Sequence, residues 1–239
     1  MLSKNQLKNI RQLSRKKYRQ ESGLFVAEGE KLVYELLGSG WKADRIYSTM
    51  VLPKTPHIKI DPSEMKQISH LASASPILGI FHLPKDDPPP TDHKGFSLVL
   101  DSISDPGNLG TIIRLCDWFG IKNLFCSTNT VDCFNPKVVQ STMGSIARVS
   151  CHYVDLLSLI ENCSARLYAA TLDGSPHYKE SFPTDGLLVM GSESHGISNA
   201  LLEKINNRIT IPSQSDGSGA ESLNVASATA ILLGEIFRP

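Results

Sequence analysis

Long apolar runs are missing from this chain of 239 residues. No stretch approaches the ~18 residues that a membrane-spanning helix needs, which argues against a membrane protein. Net charge is missing too. The 24 Lys and Arg balance 24 Asp and Glu, so no global field points to a polyanionic partner. The five cysteines (Cys116, Cys126, Cys133, Cys151, Cys163) form no CxxC pair and join no His/Cys cluster at ligand spacing. No metal site is therefore expected, and the thiols read as reduced and mostly buried, in a cytoplasmic protein. The first strand of neither half carries a GxGxxG fingerprint, and no phosphate-binding P-loop occurs, which disfavours a nicotinamide or nucleoside-triphosphate enzyme. The first residues lack the apolar core of a secretory signal. Their basic character suits an organelle transit peptide poorly, because they run straight into GLFVAEG, which reads as folded protein.

What is present is an ordinary globular composition, 41% hydrophobic and 20% charged, long enough for one large or two modest domains. Charge is uneven locally. Residues 1–20 hold seven bases and no acid. Leu7, Ile10 and Leu13 recur at helical spacing behind Ser3, a suitable N-cap, so these bases sit on a first helix. Such a run is a solvated helix face or a phosphate-contacting surface. Strands are expected at Gly23 to Ala27, Arg45 to Ser48, His57 to Ile60 and Ile77 to Leu83, with helices over Glu28 to Leu37 and Ser63 to Ala72. PKDDPPPTDHKG follows, whose three consecutive prolines fit neither a helix nor a central strand. The division is placed there: a first domain over 1–84, a linker over 85–95 and a second domain over 96–239.

The second domain alternates apolar strands with helical segments, which means βαβ crossovers and a mostly parallel α/β sheet. Three stretches in it carry polar residues where strands should end. DPGNLGTIIR places Asn108 at a helix start, with Arg114 among apolar neighbours, a setting that calls for a partly buried arginine with an anionic partner. LVMGSESHG resembles a nucleophile elbow only superficially, because Ser192 occupies its first glycine position, so Glu193 is the better candidate. ESLNVASATAILLGE offers Ser222 as the N-cap of a last helix, with Asn224 in its first turn.

Together NLGTIIR, LVMGSESHGIS and IPSQSDGSGAESLNVASATAILLGE resemble, in order and separation, the three motifs of the SpoU (TrmH-like) RNA 2′-O-ribose methyltransferases of the SPOUT superfamily. KNIRQLSRKKYRQESGLFVAEGEKLVYELL resembles the small L30e-like α/β substrate-binding domain of the ribosomal-RNA branch. The resemblance implies a C-terminal SPOUT domain whose parallel sheet ends in a deep trefoil knot, a homodimer, and S-adenosyl-L-methionine as cofactor. It implies catalytic roles for Arg114, Asn108, Glu193, Ser222 and Asn224, and cofactor contacts at Leu172, Gly191, Ile211 and Leu223. Lys8, Arg11, Arg15, Lys16, Lys17 and Arg19 are the expected RNA contacts. Methyl transfer to a ribose 2′-hydroxyl of structured RNA follows, with ribosomal RNA favoured. Transfer RNA, and a non-catalytic knotted assembly factor, stay open as alternatives. The loop SQSDGSGAE departs from the family pattern by its length and glycine content, with Ser213 where a methionine is common.

Overall fold

The computed structural model describes residues 2–84, 88–90, 95–215 and 219–239. Parts of the expected linker and of the Gly/Ser-rich loop lie outside the described residues. The chain forms two compact units: Met1–Asp87 with Asp132–Arg148, and Pro88–Val131 with Val149–Pro239.

In the first unit, Ser3 Oγ accepts from Gln6 N at 3.2 Å and the Gln6 side chain accepts from Ser3 N at 2.8 Å. This capping box starts α1 (Lys4–Gln12). The basic stretch is not one helix: α1 stops at Gln12 and a separate α2 (Lys16–Ser22) follows. Gly23 ends α2 at φ 67°, a left-handed conformation that a Cβ would strain. It therefore closes a helix instead of opening a strand, and β1 is Leu24–Glu28. Then come α3 (Glu30–Gly38), β2 (Ala43–Ser48), β3 (Ile58–Lys59), α4 (Pro62–Ile68) and β4 (Ile77–His82). Helix α4 falls short of the expected Ala72 because Ser69 turns extended, and the buried Glu28 carboxylate accepts from Ser69 Oγ and His70 N, each at 2.6 Å. The sheet order is β1-β4-β2-β3, with β4 antiparallel to both neighbours and β2 parallel to β3. One core packs Ile10 and Leu13 against Val26, Tyr47, Leu78 and Ile80.

The second unit holds the parallel sheet. Its elements, with one intervening helix that belongs to the first unit, are β5 (Phe96–Asp101), α5 (Pro106–Trp118), β6 (Asn123–Cys126), α6 (Pro136–Thr142, first unit), β7 (Ser150–Tyr153), α7 (Leu156–Glu161), β8 (Arg166–Pro176), β9 (Gly186–Gly191), α8 (Asn199–Leu202), β10 (Asn207–Thr210) and α9 (Val225–Ile236). The strand order is β10-β8-β9-β5-β6-β7, and every pair is parallel. Strands β5 and β9 are central and mostly apolar because both faces are covered, with Ser97 the one polar residue inside β5. Strand β8 runs past its expected end at Leu172. Its pairing with β10 jumps from Ala169↔Arg208 to Ser175↔Ile209, so the intervening residues bulge out of the ladder. No helix among the described residues is long and apolar enough to cross a membrane.

Residues Asp132–Arg148 come from the middle of the sequence of the second unit and fold into the first. Phe134 packs on Phe25 with ring centroids 5.0 Å apart and on Trp41 at 6.1 Å. Arg148 pairs with Glu35. The deepest tie is Arg19, whose Nε donates to Asp132 Oδ2 at 3.1 Å, whose Nη2 makes a shorter contact to the same oxygen, and whose Nη1 donates to Leu13 O at 2.8 Å. Arg19 is only 2% exposed, so the expectation that it contacts RNA is corrected: its guanidinium is spent on the partly buried Asp132 carboxylate and a carbonyl. Truncating Arg19 leaves the Asp132 carboxylate partly buried and uncompensated. Arg19→Ala is expected to lower unfolding free energy by about 3 kcal/mol in chemical denaturation. Lys17→Ala, which removes the exposed 3.9 Å pair with Glu21, should leave the midpoint nearly unchanged. Equal effects of the two substitutions would refute a structural role for Arg19.

Candidate active site

The site forms at the carboxyl ends of β5 and β9, the usual place for ligands in an open parallel sheet, because loops there expose backbone groups above a rigid base. Register puts Asp101, the last residue of β5, beside Gly191, the last of β9. A Cβ on Gly191 would lie 2.1 Å from the Gly196 carbonyl carbon. Only glycine lets the chain fold back so closely, and Ser192 and Gly196 then exchange two backbone hydrogen bonds of 3.0 and 2.9 Å. Ser192 Oγ accepts from His195 N at 3.2 Å. This tight turn holds Glu193 outward on a fixed base. The chain beyond it is tied down by Asp101, whose carboxylate accepts from Ser198 N at 2.8 Å and from Ser102 Oγ at 3.0 Å.

Helix α5 begins earlier than its apolar pattern suggests. Asp105 is its N-cap, accepting from Asn108 N at 2.9 Å, and Pro106 occupies the first turn, where its missing N–H costs nothing. The Asn108 side chain thus projects from the first turn, where its Nδ2 donates to Glu193 Oε1 and its Oδ1 accepts from Asn224 Nδ2 at 2.9 Å. Asn224 in turn accepts from Ala226 N at 3.0 Å and Ser227 N at 3.2 Å. The expectation for the last helix is therefore corrected: Asn224, not Ser222, caps α9, because its short amide reaches the free N–H groups of the first turn. Three motifs far apart in sequence meet in one relay, Asn224 to Asn108 to Glu193, in which every amide orientation is fixed by its neighbours.

The other anticipated residues divide. Arg114 is exposed and makes no ion pair with any described residue, so the partly buried arginine with an anionic partner is corrected. The apolar neighbours in sequence mislead because Ile112, Ile113 and Cys116 face the core while Arg114 lies on the opposite side of α5. Ser222 is exposed and makes no hydrogen bond to the relay. Leu172 and Leu223 are large apolar side chains left 77% and 50% exposed. Leu172 O accepts from Thr210 Oγ1 at 3.3 Å, which brings the bulged part of β8 to the strand end that precedes Ile211. Asp101 and Asp105 were missed. An acid closing an apolar strand, and an Asp directly before Pro at a helix start, were the available signals. Among the described residues no group of three or more His, Cys, Asp or Glu side chains could hold a metal ion. Burial pushes the Cys116 thiol up to about 12, which keeps it protonated and unreactive.

With this geometry in view, comparison with known proteins is decisive. Residues 95–234 match the model of the SpoU rRNA Methylase family. The chain belongs to that family. Residues 4–79 match the MRM3-like substrate binding domain. Over 247 residues, covering 97% of this chain and 96% of the relative, the SpoU-family chain is 30% identical to the 23S rRNA (guanosine(2553)-2′-O)-methyltransferase RlmP of Bacillus subtilis. It is 26% identical, over 77% of its length and 68% of the relative's, to the 23S rRNA (uridine(2479)-2′-O)-methyltransferase of Streptomyces viridochromogenes. Among solved structures, a TrmH-family protein from Porphyromonas gingivalis superposes with TM-score 0.87 at 39% identity, covering 99% of this chain and 98% of that one. The AdoMet-bound rRNA methyltransferase of Sinorhizobium meliloti does so with TM-score 0.86 at 28% identity, covering 100% and 97%. The SPOUT fold expected from the motifs is thereby shown.

Asn224 has two separable duties in this SpoU-family site. Asn224→Ala should cost about 1 kcal/mol of stability through the lost cap. Asn224→Asp keeps the cap acceptor, so thermal melting should stay near wild type, but it turns an oxygen, not a donor, toward Asn108 Oδ1, so the relay bond is lost. If Asn224→Asp melts as low as Asn224→Ala, the cap and the relay are not separable in this way.

Proposed function

We propose that this chain transfers a methyl group from S-adenosylmethionine to a ribose 2′-hydroxyl of ribosomal RNA. The observation that carries the reading is the Asn224–Asn108–Glu193 relay, built from all three family motifs at the carboxyl ends of the central strands. The rRNA 2′-O-methyltransferase relatives, and the AdoMet-bound neighbour, supply the reaction and the cofactor. The residues present fit that cofactor. Leu172 in the bulged part of β8 and Leu223 just before α9 offer exposed apolar surface, as an adenosine-sized ligand requires, and Gly191 and Ile211 at the ends of β9 and β10 complete the proposed cradle. When bound, S-adenosylmethionine supplies a methyl group already activated by its positive sulfur.

The protein's own task is alignment and charge. Asn108 is locked with Nδ2 toward Glu193 and Oδ1 toward Asn224. Its remaining donor and lone pair have fixed directions and can orient the ribose without reorganising. Glu193 positions Asn108, and Ser222, unconstrained by the relay, meets the ribose or its phosphate. Arg114 lies exposed on α5 with no ion pair to a described residue. A guanidinium holds its proton tenaciously, so its role is to grip phosphate and stabilise the developing alkoxide rather than to act as the base. Lys8, Arg11, Arg15, Lys16 and Lys17 are exposed on or beside α1 and α2 and contact the RNA backbone.

The test is transfer of labelled methyl from S-adenosylmethionine to separated ribosomal and transfer RNA from a strain lacking the gene. Label in an alkali-resistant dinucleotide of ribosomal RNA is expected, with Arg114→Ala reducing turnover at least about 100-fold and Arg114→Lys failing to restore it. Near-full turnover by Arg114→Lys would eliminate the need for a planar guanidinium. Label confined to transfer RNA, or cofactor binding with no transfer, would overturn the substrate or the enzyme assignment respectively.

The same reading includes the trefoil knot, a cytoplasmic location and a homodimer. Supporting the dimer, α5 and α9 pack together with Phe119 stacked on Phe237 at 5.3 Å, and this pair leaves Trp118 83%, Ile231 41% and Phe237 39% exposed. So much aromatic and apolar surface on adjoining helices suits a second copy. Sedimentation equilibrium should give twice the chain mass, and Trp118→Glu should give monomer. A monomeric wild type would eliminate the dimer.

A further inference from the structure

The first unit contains a cavity of about 430 Å³ between α1, α2 and the sheet face formed by β1, β4 and β2. It lies within the range of small-ligand pockets, roughly 300–1,000 Å³, and is too small for a duplex. Its floor is apolar, from Ile10, Leu13, Leu24 and Ile80. Gln6, Ser22, Glu21, Asp44 and Arg45 on its lining have partners, but three further polar side chains find none among the described residues. Tyr47 is fully buried and lines the cavity, yet its hydroxyl has no hydrogen-bond partner among the described residues. An orphaned buried hydroxyl costs about 1–3 kcal/mol unless something answers it. The side-chain amides of Asn9 and Gln12 also line the cavity, and neither makes a hydrogen bond to a described residue. Tyr18 supplies an aromatic face, half-buried, at the same opening.

The charges at the rim select among ligands. Asp44 pairs with Arg45 at 3.5 Å, and Glu21 pairs with Lys17 at 3.9 Å. The neighbouring Tyr47 phenol, and secondarily Asp44, raise the Arg45 guanidinium above its usual value, although the phenol and guanidinium do not reach hydrogen-bond geometry. Each carboxylate keeps lone pairs beyond its single ion pair and can accept hydrogen bonds from amino and imino N–H groups. Flat apolar floor, aromatic wall, free amides and carboxylate acceptors together describe a site for a base edge, the way single-stranded RNA is read. We infer that this cavity takes one unstacked RNA nucleobase bearing an exocyclic amino group. It is thereby a specificity site, separate in role from the exposed cations of α1 and α2, which hold the backbone without reading sequence.

The inference rests on the RNA-binding reading above, and the test separates the two. The full chain is titrated with single-stranded heptaribonucleotides of uridine carrying adenosine, guanosine or uridine at the centre, followed by fluorescence anisotropy. A central guanosine or adenosine should bind at least about fivefold more tightly than uridine, the value of roughly one net hydrogen bond. Tyr47→Phe and the exposed Asn9→Ala should each reduce that preference while leaving all-uridine binding and cofactor binding unchanged. Asn9→Ala guards against a folding defect in the core variant. Equal affinity for the three oligomers, or a preference that survives both substitutions, overturns the cavity as a base site. If the wild type at the same time methylates ribosomal RNA, the proposed activity stands without it. If it binds none of the oligomers and methylates no RNA, the activity itself has failed.

Discussion

The backbone of the turn after β9 passes so close to Gly191 that no side chain fits there. That approach is the constraint on which the candidate site depends. It folds GSESHG into a closed turn with two backbone hydrogen bonds and aims Glu193 at the first turn of α5. The buried Asp101 carboxylate then anchors the outgoing chain through Ser198 N. Without the close approach, the Glu193 side chain would ride on a mobile loop, and Asn108 would lose the partner that orients it.

Parallel pairing supplies the rest of the precision. Adjacent parallel strands end at the same level, so loops from distant parts of the sequence converge over one edge of the sheet. Asn108, Glu193 and Asn224 come from three such loops and satisfy one another in a single chain of side-chain bonds. A network with every member partnered is rigid and specific, and losing one member leaves a polar group unsatisfied. Asn224 also caps α9, so the same amide that begins the last helix completes the relay. Fold and site therefore share a residue.

The first unit obeys a different logic. A segment inserted between β6 and β7 of the parallel sheet, Asp132–Arg148, contributes to its core through Phe134 and closes over Arg19 through Asp132. The proline-rich stretch read as a boundary says nothing of this excursion. Neither composition nor periodicity marks it, because an ion pair 113 residues apart leaves no local pattern. The same blindness explains Arg19. In a run of seven bases, it looks like its neighbours, and only burial distinguishes the structural arginine from the exposed cations.

Sequence alone determined the alternation of strands and helices, the Ser3 cap, the apolar β5 and β9, and the three motifs that carry the family resemblance. These are local properties, set by side-chain periodicity and by which residues satisfy a helix end. It also placed Asn108, Glu193 and Asn224 among the candidates. Tertiary structure decided which cap starts α9, that β8 bulges where it meets β10, and that Arg114, facing outward, and the Tyr47 hydroxyl, beside a cavity, find no partner among the described residues. Each of these turns on which groups meet across space. A pattern read along one chain carries the propensity of each residue, but the partner that uses or frees it is chosen only when distant segments pack.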